Sequence, residues 1–77
     1  MPPTTSRVSA LPGDSPLSEE ERLLLALLAN GLSEDAVARR LLTSSRTVRR
    51  RIRALCDRIG VRTPLQAAVW AARRGLI

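Results

Sequence analysis

From Leu17 onward the apolar positions fall into four clusters, each opened by a hydroxyl side chain and three of them closed by a glycine. The first, Leu23-Leu24-Leu25-Ala26-Leu27-Leu28-Ala29, is apolar around most of a helical circumference. It follows Ser18-Glu19-Glu20-Glu21, a capping box in which the Ser18 hydroxyl accepts the Glu21 N–H and the Glu21 carboxylate reaches back. Three carboxylates in that turn also suit the positive end of the helix dipole. Asn30-Gly31-Leu32 then predicts a Schellman ending. Ser33, with Glu34 and Asp35 behind it, starts a short second helix that buries Val37, Ala38 and Leu41. After a turn through Leu42 and Thr43, Ser44 caps a third helix that continues to Ile59 and stops at Gly60. Thr63-Pro64-Leu65-Gln66 opens a fourth with a capping threonine, proline at the first helical position and glutamine closing a second capping box. Gly75 ends it, leaving Leu76 and Ile77 to fold back. The pattern predicts an all-α chain with helices at about 19–30, 34–41, 45–59 and 64–74 and no strand.

Residues 1–16 read differently. Pro2, Pro3, Pro12, Pro16 and Gly13 sit among small polar residues, with too few apolar side chains to offset ordering entropy. A disordered leader or linker is expected there, ahead of one helix-turn-helix domain over 17–77. Composition narrows the chemistry. With 44% hydrophobic residues and a single aromatic, Trp70, in 77 residues, the chain holds one small core at most. The absence of His removes Ser-His-Asp and Cys-His catalysis and Cys/His metal sites, so no enzyme, metal or cofactor is expected. Cys56 is the only cysteine, which rules out an internal disulfide; it lies at the edge of the third helix's core stripe and reads as a small buried hydrophobe rather than a redox sensor. No apolar run approaches the roughly 18–20 residues that span a bilayer, and the N-terminus lacks a signal-peptide core, so a cytoplasmic setting with no membrane partner is expected.

Charge adds more. All 13 basic residues are Arg, and with 7 acidic ones the net charge is +6. Residues 1–35 carry Arg7 and Arg22 against six carboxylates, a net −4, whereas residues 36–77 carry eleven Arg against Asp57 alone, a net +10. Such asymmetry points to a polyanionic partner.

The third helix concentrates that charge. Projected at a helical pitch, Ile52, Leu55 and Ile59 fall within about 40° of Val48 as a core stripe. Arg46, Arg50, Arg53 and Asp57 lie opposite, with Arg49 on one flank and Thr47 and Arg51 on the other. Like charges crowd at Arg49-Arg50-Arg51, which is costly in an isolated helix, and counter-charges are missing from the face. A merely solvated face is the bland reading; neutralisation by a polyanion explains the crowding better. A helix fits the major groove of a duplex, and Arg pairs bidentately with guanine O6 and N7. Ser44, Ser45 and Thr47, with the helix N-terminal amides, suit a backbone phosphate, and Arg46 beside them joins that set. Ala38, small where two helices cross, and Val48 ten residues later follow a helix-turn-helix pattern, with Leu42 at the turn position where many such motifs have Gly.

At this point the chain resembles the LuxR-type (GerE- or FixJ-type) C-terminal DNA-binding domain of bacterial transcription regulators. The resemblance covers Leu17–Ile77 and rests on Leu17-Ser18, Glu21, Leu25, Leu28-Ala29, Gly31-Leu32-Ser33, Val37-Ala38, Leu41, Ser44, Thr47-Val48, Ile59-Gly60-Val61, Gln66-Ala67 and Gly75-Leu76-Ile77. Departures from the family pattern are Glu20 and Leu23 for a basic and an acidic residue, Asp35-Ala36 for Lys-Glu, Arg51 for His and Pro64 for Arg. The resemblance implies sequence-specific double-stranded DNA binding, with Arg49, Arg50 and Arg53 reading bases and Ser44, Thr47, Arg51, Arg58 and Arg62 contacting phosphates. It also implies a homodimer on an inverted repeat through the fourth helix, with Ala67, Ala68 and Ala71 facing the domain and Leu65, Val69, Trp70 and Arg73 facing the partner. Trp70 half-buried on the domain's own core is the competing reading. Two other functions stay open: a protein-interaction module that uses the acidic start of the first helix on RNA polymerase or another regulator, and a membrane- or RNA-binding amphipathic chain.

Overall fold

The computed structural model describes residues 16–77; most of the expected leader, residues 1–15, lies outside the described residues. Four helices follow one another, α1 (Glu19–Ala29), α2 (Glu34–Arg40), α3 (Ser45–Ile59) and α4 (Pro64–Arg73), with no strand among the described residues. The chain is all-α, as the pattern of apolar positions predicts. Three of the helices end one residue earlier than expected, because Asn30, Leu41 and Arg74 take cap conformations with ψ near zero.

Every start is capped by the residue the sequence nominates. Ser18, Ser33, Ser44 and Thr63 accept the N–H three residues on, at Glu21, Ala36, Thr47 and Gln66. Both capping boxes close, with the Ser18 N–H donating to Glu21 at 2.8 Å and the Thr63 N–H to Gln66 at 3.2 Å. Each helix also ends on a left-handed residue that turns the chain back. At α1 the Leu32 N–H returns to Leu27 O at 3.2 Å and the Gly31 N–H to Leu28 O at 3.0 Å, the expected Schellman pair. The same pair recurs after α2, from Thr43 to Ala38 O and Leu42 to Arg39 O. There the left-handed position is held by leucine, not glycine: Leu42 has φ of 59° and is 93% exposed. A branched side chain in that conformation costs about 1–2 kcal/mol, so the turn of the helix-turn-helix is the one strained ending of the four.

The core is small and almost wholly aliphatic. Leu24, Leu25, Val37, Val48 and Leu55 are its fully buried large side chains, joined by Leu17, Ile52 and Cys56 and by Ala38, Ala67 and Ala71 where helices approach closely. α1 packs chiefly on α4 and α2 on α3, so the third helix is mounted on the second and its outer face stays open.

Candidate nucleic-acid interface

The apolar stripe of α3 determines which of its residues point outward. Val48, Ile52, Leu55 and Cys56 are buried, and at a helical pitch this turns Arg46, Arg49, Arg50, Arg53 and Asp57 to solvent. Ser44 sits at the foot of the helix, its hydroxyl accepting the Thr47 N–H at 3.1 Å and donating to the Thr47 hydroxyl at 3.0 Å. That ties down the first turn of the helix.

The arginines then separate into two groups. Arg46, Arg50 and Arg53 make no hydrogen bond or ion pair with the described residues and form an unneutralised strip along the outward face. The others are paired. Arg51 forms an ion pair with Glu20 of α1, and the next carboxylate, Glu21, takes the guanidinium of Arg58 through both its oxygens, at 2.7 and 2.8 Å. Arg58 also donates to the Pro16 carbonyl at 2.9 Å, fastening the entry of the chain to α3. On the opposite flank Arg49 approaches Glu34 of α2 at 3.9 Å, and the Ser45 hydroxyl donates to the Asp35 carboxylate. The sequence expectation that this helix lacks counter-charges therefore holds along α3 apart from Asp57, but not in space. Carboxylates that serve as helix-start residues in α1 and α2 also reach across to the flanks of α3. No periodicity within one helix reports that double use.

These pairs perturb titration where they are tightest. The hydrogen bonds from Arg58 hold the Glu21 carboxyl below its ordinary range, and the same contact raises Arg58. The Cys56 thiol is pushed up by burial and by the nearby Asp57 charge; it donates to the Thr63 carbonyl at 3.6 Å, as befits a packed side chain.

On α4, Ala67, Ala68 and Ala71 are buried against the domain as expected, leaving Leu65 73% and Val69 40% exposed with Arg73 beside them. Trp70 divides its surface: it packs against the core from one side, and the guanidinium of Arg74 covers its ring at 4.5 Å from the centroid. Together with Val61 and Leu65 it lines an open groove rimmed by Arg62, Arg73 and Arg74. Arg62 lies at the start of this groove, its backbone N–H held by Gln66 and its side chain exposed.

An arginine-faced helix mounted on a second helix through a tight turn, with two further helices behind, defines a helix-turn-helix domain. Residues 15–71 match the family model described as bacterial regulatory proteins, luxR family, and the chain belongs to that family. It is 41% identical over 61 residues to the bialaphos biosynthetic pathway regulatory protein of Streptomyces hygroscopicus, covering 79% of this chain and 24% of that protein. It is 37% identical over 57 residues to the DNA-binding transcriptional activator DevR/DosR of Mycobacterium tuberculosis, covering 74% of this chain and 26% of that one. The chain thus spans about a quarter of the length of the curated relatives it matches. No solved structure matches it. No group of side chains suited to a metal occurs among the described residues, and no helix there is long and apolar enough to cross a membrane.

Proposed function

We propose that this chain is a sequence-specific double-stranded DNA-binding module of a transcription regulator, working by equilibrium recognition without chemistry. The observation that carries the reading is the strip of Arg46, Arg50 and Arg53, unpaired and outward on a helix whose fold belongs to the luxR family. With α3 in the major groove, Arg50 and Arg53 read base edges, joined by Arg49 once it leaves its loose contact with Glu34. Ser44, Thr47, Arg46 and Arg62 contact phosphates at the two ends of the footprint, with Ser45, Arg51 and Arg58 as reserves that must first leave their carboxylate partners. Two copies joining through Leu65, Val69, Trp70 and Arg73 of α4 would read an inverted repeat, in the cytoplasm. A role on RNA polymerase has less support, since the acidic start of α1 that it would use is largely engaged with Arg51 and Arg58.

Binding to about 4–6 phosphates per subunit gives log K a slope near −4 to −5 against log salt. Titration of the chain into a random-sequence duplex at several salt concentrations measures that slope, and an affinity indifferent to salt would remove the reading. Selection from a random duplex library then reports whether the motif is palindromic, which tests the dimer separately.

A further inference from the structure

We propose that Glu20 is a positioning residue that lowers DNA affinity by holding Arg51 against α1; this rests on the DNA-binding reading above. Arg51 and Arg58 stand seven residues apart, two turns of α3 on one flank, and successive carboxylates of α1 occupy both. Around Arg51 the cleft between the helices is lined by Glu20, Glu21, Leu24, Ala54 and Leu55, with no carboxylate contributed by α3. α1 and α3 approach each other through side chains, with Leu24 and Leu55 of the shared core beneath the two long-arm ion pairs. The Glu21 pair is additionally bound into the capping box and the Pro16 carbonyl, which makes it part of the fold. Glu20 is different: it takes no part in the cap, and both it and Arg51 are partly exposed, at 51% and 39% of the side chain. A phosphate reaching that flank meets an arginine already neutralised, with a carboxylate beside it. To be used, Arg51 must exchange one anion for another, and no counterion is released on its account. Glu20 and Arg51 meet as a pair, so this chain trades a phosphate contact for an internal one.

Removing the charge of Glu20 should release Arg51 to the phosphate backbone. Glu20→Gln keeps the side-chain shape and its helix propensity. Glu19→Gln removes the same charge from the same turn, but Glu19 pairs with Arg22 and not with α3. Binding of the full chain to a labelled random-sequence duplex is measured by anisotropy over a series of salt concentrations. At about 0.1 M salt Glu20→Gln is expected to tighten binding roughly fivefold to tenfold and to steepen the salt slope by about one unit, the signature of one added phosphate contact. Glu19→Gln should change affinity less than about twofold, the effect of net charge alone, and leave the slope unchanged. Adding Arg51→Ala to Glu20→Gln should cancel both the gain and the steeper slope. The proposal is overturned if the two glutamine variants bind alike, or if the gain survives Arg51→Ala. A wild-type chain that binds no duplex at any salt overturns the DNA-binding reading as well, so the two failures are told apart by the unmodified protein.

Discussion

The two sides of α3 carry the same residue type under opposite conditions. Toward α1, Arg51 and Arg58 are each held by a carboxylate. Along the outward strip Arg46, Arg50 and Arg53 have no partner among the described residues and are exposed. A guanidinium with a bidentate carboxylate is oriented and neutralised; one without keeps five donors and its full charge for an incoming ligand. Arginine content alone therefore overstates the charge available for binding, and on the proposed reading the arginines available at once are those that neighbouring helices leave unpaired.

The contrast is broken most severely from beneath. Both groups hang on the stripe of Val48, Ile52 and Leu55, so Leu55→Ala, truncating a side chain 1% exposed, should cost about 2–5 kcal/mol. A core this small holds only about 3–5 kcal/mol in total, and circular dichroism should show a chain largely unfolded at 37 °C. Next in size, Arg50→Ala and Arg53→Ala should each weaken binding to the selected site by about 1–3 kcal/mol and relax preference at particular base pairs. Arg62→Ala should instead weaken all duplexes alike and flatten the salt slope by about one unit. Equal losses on selected and random duplexes for all three variants would erase the distinction between reading and anchoring residues.

The turn leading into the strip can be altered without touching a charge. Leu42→Gly removes left-handed strain from a side chain that buries almost nothing, and should stabilise the fold by about 0.5–1 kcal/mol, a rise of a few degrees in Tm. Gly31→Ala, at φ of 90° with open space around an added Cβ, should lower stability by about 1 kcal/mol. The smallest effect probes the paired flank by pH. Because the folded value of Glu21 lies below its ordinary 4.5, its stabilisation is complete above that value and drains away as pH falls through the depressed one. The stability gap between the wild type and Glu21→Gln, followed by urea denaturation, should therefore be constant near neutrality and narrow at acid pH.

Local signals made most of the fold legible. Helix starts depend on a side chain and an amide three residues apart, which is why Ser18, Ser33, Ser44 and Thr63 could be named as caps. Gly31, Gly60 and Gly75 marked three endings because glycine adopts the left-handed conformation at little cost. The fourth, at Leu42, carried no such mark in its residue type and was placed only by the cap that follows it. The outward arginines were legible from the 3.6-residue period, whereas the buried alanines of α4 were expected from the resemblance and from their small size.

What the linear order of residues determined by itself was the set of four helices, their caps, their buried faces and the arginine strip of α3, because each depends on interactions within a turn or two of one chain segment. Only the tertiary structure decided which arginines are free. Glu20 and Arg51 are thirty-one positions apart, and Glu21 and Arg58 thirty-seven. Their pairing depends on how α1 lies across α3, which is set by packing of aliphatic side chains on α4 and α2. A Coulomb contact of a few ångströms is a property of that packing and leaves no period in the sequence.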